Sequence, residues 1–130
     1  MFNVEIWIDV MHLSDGVPDT VCTLFATHQL PMRPLAGESL SYFQTKGSSH
    51  RFQLCTPIGP MRDHSIRVTI EEVSHYAVQT EAGVQYKTSL RCEEIQVPSI
   101  EDARSVCAFM TEQLGFEFDP YGPNRLVDEG

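Results

Sequence analysis

Two segments of this chain alternate apolar and polar residues as β-strands do, and in each the alternation slips by one residue at a pair of glutamates. The first segment covers residues 66–78 and slips at Glu71-Glu72. The second covers residues 84–97 and slips at Glu93-Glu94. Gly83, in the stretch between them, supplies the positive φ that hairpin loops often need. The pattern therefore predicts a long antiparallel hairpin with an irregularity in each strand.

A hairpin turn centred on Ala82 places Glu71 opposite Glu93 and Ile70 opposite Glu94. Like charges that face each other across two antiparallel strands are unfavourable, so this register requires a bulge, solvent, a ligand or basic neighbours. Three arginines on nearby predicted strands are suitable neighbours: Arg51, Arg67 and Arg91. Bidentate ion pairs with them would make the acidic pairs structural.

One helix is predicted near the C-terminus. Ser99 is a favourable N-cap, Asp102 follows three residues later, and Gly115 suits the C-terminal cap. The apolar residues between these caps recur at steps of three and four: Ile100, Ala103, Val106, Cys107, Met110 and Leu114. We therefore expect an amphipathic helix with one apolar stripe against a sheet.

Further strands are predicted over residues 4–10, 20–30, 39–43 and 51–55, and strands and helices do not alternate along the chain. These patterns predict an α+β fold: a bent antiparallel sheet of five or six strands with one C-terminal amphipathic helix. Partial closure of the sheet into a small barrel remains an alternative. Residues 1–115 are expected to form a single domain, and residues 116–130 an aromatic and acidic tail that is partly docked.

Length and composition limit the classes of function. The chain has 130 residues, of which 42% are hydrophobic, which suits one ordinary core. Its net charge is −9, and residues 93–130, with nine acids and two arginines, carry −7 of it. This charge disfavours direct binding of nucleic-acid phosphates.

The cysteines and apolar runs bear on where the protein works. No run approaches the roughly 20 apolar residues that span a bilayer, and no secretory signal opens the chain. The four cysteines lack the CxxC spacing of zinc sites and indicate buried thiols in a reducing compartment. We expect a soluble cytoplasmic protein that binds no membrane.

The four glutamates are the candidate metal ligands, because carboxylate oxygens bind hard divalent cations. Neighbouring residues of a strand point to opposite faces, so the four converge only if a bulge redirects one. A divalent cation is the only cofactor that the sequence suggests. Two other interpretations stay open, a solvated double bulge and a contact for a basic partner.

Four other residues are candidate ligand or partner contacts. His75 follows Val73 in alternation and is expected to point to the same side of the strand, and Arg91 carries the charge nearest the second acidic pair. Phe118 and Tyr121 belong to an aromatic tail segment that either packs on the protein's own core or anchors another protein.

No catalytic constellation exceeds what chance supplies in a chain of this composition. We therefore expect a small non-catalytic binding or adaptor module that acts through protein contacts with an unknown partner, with a homo-oligomer as one case. The first alternative is a metal-assisted hydrolase or isomerase that uses Glu72 or Glu93 with His75 as acid or base. The second is an acidic inhibitor of a nucleic-acid-binding protein.

Overall fold

Nine strands and one helix make up the described part of the chain, which in the computed structural model is residues 1–45, 50–57, 59–63 and 65–126. The elements are β1 (Phe2–Ser14), β2 (Val17–Leu30), β3 (Ser39–Phe43), β4 (Phe52–Thr56), β5 (Gly59–Asp63), β6 (Ser65–Thr80), β7 (Gly83–Cys92), β8 (Ile95–Val97), α1 (Ile100–Leu114) and β9 (Glu117–Phe118). No helix in this part is long and apolar enough to cross a membrane.

Seven of the strands form one sheet in the order β3-β6-β7-β1-β2-β9, with β8 beside β1 beyond the end of β7. The sheet curls into a half-barrel, with the helix near the C-terminus. Strand β1 pairs antiparallel with β2 but parallel with both β7 and β8. The prediction of a largely β, α+β fold is confirmed. The sheet has seven strands and not five or six, and it includes parallel pairs, because alternation identifies a strand without specifying its neighbour.

The core lies between the inner face of this sheet and α1. Alternation along β1 buries Val4, Ile6, Ile8 and Val10, and the strand predicted there is confirmed. The helix also begins and ends where predicted, with Ser99 as N-cap and Gly115 in the left-handed conformation at φ 73°. Its buried residues are Ala103, Val106, Cys107, Phe109 and Met110. Of these, Phe109 lies outside the predicted stripe.

A separate two-stranded sheet, β4-β5, packs against α1. The rings of Phe52 on β4 and Phe109 on the helix stack with centroids 6.0 Å apart, and the amide of Gln53 donates to Asp102 Oδ1 at 2.8 Å. Strand β5 was not predicted, because the glycine and prolines around it are typical of a break. Gly59 opens it at φ 117°, and Pro60 is tolerated in a strand with a single partner.

The predicted hairpin of β6 and β7 is present, but its register differs from the prediction by one residue. The loop is only Glu81 and Ala82, so Thr80 pairs with Gly83, and Glu72 lies opposite Arg91. The bulge in β6 falls between Ile70 and Glu72, as the slip in alternation indicated. The second predicted strand is two strands, because β7 ends at Cys92 and β8 begins at Ile95.

An aromatic cluster joins strands from opposite ends of the curled sheet. Phe116, which follows the helix, meets the ring of His28 on β2 at 5.1 Å and the ring of Tyr42 on β3 at 5.8 Å, both edge to face. His28 Nε2 also lies 2.7 Å from the carbonyl oxygen of Leu114, so this nitrogen carries the proton and donates. We call His28, Tyr42 and Phe116 the seam.

Candidate functional site

The two acidic pairs do not form one cluster. Glu72 lines a cleft on the outer face of the sheet, the face opposite α1, together with Arg91. The other three carboxylates line a different cavity, which also contains Arg67 and Cys55: they are Glu71, Glu93 and Glu94. The predicted apposition of Glu71 and Glu93 across the strands is corrected, because the two-residue loop and the bulge shift the register.

Glu93 has a structural role at this point in the sheet. Its amide donates to the carbonyl oxygen of Thr69 at 2.9 Å, and its side chain accepts from the amide of Thr69 at 2.9 Å. Glu93, which lies between the end of β7 and the start of β8, thus makes both hydrogen bonds that a residue of a neighbouring strand would make with the backbone of Thr69. The half-buried carboxylate therefore replaces a backbone acceptor in the row of hydrogen bonds between β6 and β7, at the point where β7 ends.

We expect Glu93→Ala to lower the free energy of unfolding by about 1.5–3 kcal/mol, because a backbone amide loses its bond to a charged acceptor. Glu93→Gln keeps an acceptor and is expected to restore most of this loss. Urea denaturation measures both. Glu94→Ala is the matched control, since Glu94 is exposed and bonds only Gln96 among the described residues, and its effect should stay within about 0.5 kcal/mol. Equal effects of the two alanine variants would refute the structural role of Glu93.

The divalent-cation hypothesis stays a prediction. Within the described ranges, no group of three or more histidine, cysteine or acidic side chains has an arrangement that could hold a metal ion. The Arg67 guanidinium shares the cavity of Glu71, Glu93 and Glu94, and its charge opposes a cation there. Thermal melting of chelator-treated protein with added Mg²⁺, Mn²⁺, Ca²⁺ or Zn²⁺ tests the hypothesis directly.

Three of the four cysteines are buried, and Cys55 is half-buried. Cys22 Sγ on β2 lies 3.4 Å from Cys107 Sγ on the helix, and all four thiols are free. Burial, followed by the charges of Glu71 and Glu93, raises the pKa of Cys92 to about 11. The Cys92 thiol is therefore protonated near neutral pH and behaves as a small apolar group.

The residues of the predicted acid and base pair lie apart. His75 and Val73 line the same small cavity of about 210 Å³ on the inner side of β6, as their alternation indicated. His75 Nδ1 lies 3.0 Å from Thr88 Oγ1 on β7. Glu72 and Glu93 each line a different cavity from His75, so the geometry brings neither carboxylate to this histidine.

The two tail aromatics differ in environment. Phe118 is half-buried, packs against the core and pairs with Leu24 at the outer edge of β2. Tyr121 is 97% exposed. Beyond β9 the chain still follows β2, since the amide of Arg125 donates to the carbonyl oxygen of Val21 at 2.8 Å. Residues 127–130 of the predicted tail lie outside the described residues.

The cleft on the outer face of the sheet, here the outer cleft, has a volume of about 370 Å³ and crosses four strands. Its principal side chains are Trp7 and Asp9 from β1, Thr23 from β2, Glu72 and Ser74 from β6, and Ser89 and Arg91 from β7. Glu72 and Arg91 were predicted as candidate site residues from the sequence, whereas Trp7 and Asp9 were not. Trp7 and Asp9 alternate along β1 with the buried residues, so the sequence indicated that they face outward. Only the pairing of β1 with β7 brings them close to Arg91.

The hairpin projects beyond the rest of the sheet. Strand β1 pairs with β7 only from Thr88 to Arg91, and β3 pairs with β6 only from Ser65 to Thr69. The two-stranded end of the hairpin, Tyr76–Thr80 with Gly83–Lys87, has no other strand beside it among the described residues. We call it the arm.

A hydrogen bond of Tyr76 ties the arm to the sheet. The Tyr76 hydroxyl donates to Glu5 Oε1 on the outer face, and this bond raises the pKa of Tyr76 to about 12.

Comparisons of the chain with protein-family models, with curated proteins and with solved structures find no match. The arm and the outer cleft are the features of the molecule that bear on its function.

Proposed function

We propose that the protein is a non-catalytic binding module that associates through the arm, and that its partner is a second copy of the same chain. The observation that carries the proposal is that, within the described part of the chain, no other strand pairs with either edge of the arm and the large apolar side chains of one face are exposed. A two-stranded hairpin is only marginally stable in water by itself, so a partner that pairs with it stabilises it.

The apolar face of the arm continues the inner face of the sheet. Tyr86 and Val84 have the same strand parity as the buried Leu90, yet they are 78% and 64% exposed. Phe2, which shares the parity of Val4 on β1, is 45% exposed. Large aromatic and aliphatic side chains that share one face are typical of contact surfaces between proteins.

Most of the arm lacks the features that usually prevent strands from pairing between molecules. Lys87, at the base of the arm, carries the one charge on its two strands, and no charged side chain or proline lies within Tyr76–Thr80 or Gly83–Tyr86, whereas exposed edges normally carry lysine, proline or a bulge. The absence of charge also favours a second copy as the partner. Two chains of net charge −9 repel each other overall, but neutral edges bring no like charges into contact at the interface.

The test is the association of the full chain, measured by sedimentation equilibrium from low micromolar to near-millimolar concentration. We expect a reversible dimer that strengthens with added salt, because salt screens the repulsion between the two copies. Tyr86→Lys should weaken the dimer at least about tenfold, since it removes an aromatic contact and places a charge on the buried face.

Gln85→Lys is the matched control for this variant. It introduces the same charge on the same strand, but Gln85 pairs with Val78 and points to the outer face of the arm. We expect the dissociation constant of this variant to stay within about threefold of the unmodified chain. A chain that is monomeric at every concentration, or a dimer that both lysine variants weaken equally, would refute association through the apolar face of the arm.

A further inference from the structure

We infer that the outer cleft is a binding site for a neutral sugar ring. The cleft lies on the opposite face of the sheet from the apolar side chains of the arm, so this inference does not depend on the proposed association. It rests on three observations: an aromatic wall, a set of polar side chains without partners in the protein, and a balance of charge that disfavours anions.

The aromatic wall is Trp7. Its ring stacks on Phe25 of the adjacent strand, with centroids 5.0 Å apart and an interplanar angle of 23°. Phe25 therefore covers one face of the indole. On the other side of β1, Arg91 of β7 is the register neighbour of Trp7, and both residues line the cleft. The apolar C–H face of a sugar ring packs well on such a surface, because aromatic rings are large, flat and weakly hydrated.

The polar side chains around the indole are available to a ligand. Glu72 lies opposite Arg91 in the hairpin register, yet the two form no ion pair. Among the described residues, neither of them, nor Ser74 or Ser89, has a side-chain hydrogen bond to another residue. Carboxylate acceptors, guanidinium donors and serine hydroxyls together match neighbouring hydroxyl groups, each of which both donates and accepts.

A bulge and regular alternation together place the two carboxylates. Asp9 faces the cleft by the regular alternation of β1, before the bulge between Val10 and Met11, and Glu72 follows the bulge of β6. Asp9 is held in place, since its Oδ1 accepts from the Thr23 hydroxyl at 2.6 Å. Bulges bend a strand and redirect a side chain, and they are common beside binding sites. The β6 bulge therefore explains how Glu72 comes to line the same cleft as Asp9.

Charge and size limit the class of ligand. Asp9 and Glu72 against Arg91 give the cleft a charge of −1, which disfavours phosphates, nucleotides and acidic sugars. The single guanidinium between two carboxylates likewise disfavours a simple cation. A volume of about 370 Å³ is near the lower end for ligand sites, which suits one or two sugar rings.

The fluorescence of Trp7 reports on this cleft alone, because Trp7 is the single tryptophan of the chain. The experiment titrates the full chain with glucose, galactose, mannose and N-acetylglucosamine, and with maltose, cellobiose and lactose, to about 100 mM, well above a millimolar dissociation constant. We expect a saturable change in emission with at least one of these sugars. Tighter binding of a disaccharide indicates a polymeric glycan as the source, and equal binding indicates the free sugar.

Two variants assign the response to the cleft. Arg91→Gln and Glu72→Gln should each weaken binding about tenfold, since each removes a charged hydrogen-bonding group. Arg67→Gln removes the same charge at an exposed position of β6 outside the cleft, and its binding should be unchanged. Thermal melts establish that each variant is folded, and a sugar-dependent rise in melting temperature gives a second readout.

Three results would overturn the inference. The first is emission that changes linearly, or not at all, with every sugar to the highest concentration. The second is saturable binding that Arg91→Gln and Glu72→Gln leave unchanged. The third is a saturable response to glycine or lysine without any response to sugars, which would make the cleft a site for a zwitterion.

Discussion

Phe109→Ala is expected to lower the free energy of unfolding by about 3–5 kcal/mol, the loss typical of a phenylalanine truncated in a closely packed core. The Phe109 side chain is fully buried where α1 packs on the β4-β5 sheet. It projects from α1 and stacks on Phe52 of β4, so its loss leaves a cavity between the helix and the β4-β5 sheet.

Chemical denaturation of the two proteins measures this difference. Phe43→Ala is the matched control, because it makes the same substitution on β3 at a ring that is 72% exposed, and its effect should stay within about 0.5 kcal/mol. A loss below about 1 kcal/mol for Phe109→Ala would contradict the packing of β4 on the helix.

Phe116→Ala is expected to have the second largest effect, about 3–4 kcal/mol. Its ring is 2% exposed and meets His28 and Tyr42 edge to face, and such aromatic pairs add about 0.5–1.5 kcal/mol each to the effect of burial. Because His28 and Tyr42 lie on β2 and β3, removal of the ring separates the two ends of the curled sheet at the seam.

The same denaturation experiment tests this variant. Tyr121→Ala truncates an aromatic side chain five residues further along the tail that is 97% exposed, and it should change the stability by less than about 0.5 kcal/mol. Amide hydrogen exchange gives a local readout, since opening of the seam should accelerate exchange in β3 before it does so in β1. Similar losses for Phe116→Ala and Tyr121→Ala would show that the seam contributes little.

Features that depend on neighbouring residues were predicted well. Strand β1 and helix α1 lie where alternation, the Ser99 cap and Gly115 indicated, because each of these signals acts within a few residues. Phe109 was missed for a physical reason. The helix packs on the main sheet on one side and on β4 on another, so its buried arc is wider than the single stripe that the spacing suggested.

Features that depend on distant residues were not predictable from the pattern. Nothing in the alternation of β1 or β7 states that the two pair, or that they do so in parallel. The outer cleft depends on that pairing, which is why Trp7 and Asp9 were not connected with Arg91. The acidic pairs are an intermediate case. The bulge at Glu71-Glu72 was visible in sequence, but the slip at Glu93-Glu94 is the gap between β7 and β8, and the loop of Glu81 and Ala82 gives the strand residues other partners than a turn centred on Ala82 would.

The place of β1 in the middle of the sheet constrains how the chain folds as it is synthesised. Strand β2 is available at once to form a hairpin with β1, but Val4 pairs on its other edge with Thr88, more than eighty residues later. At the usual translation rate of about 5–20 residues per second, this edge of β1 stays unpaired for roughly 4–16 s during synthesis. Any nascent chain that stops before β7 therefore exposes an apolar strand edge, a natural substrate for a chaperone, and the slow closure of this long loop is expected to limit the rate of folding.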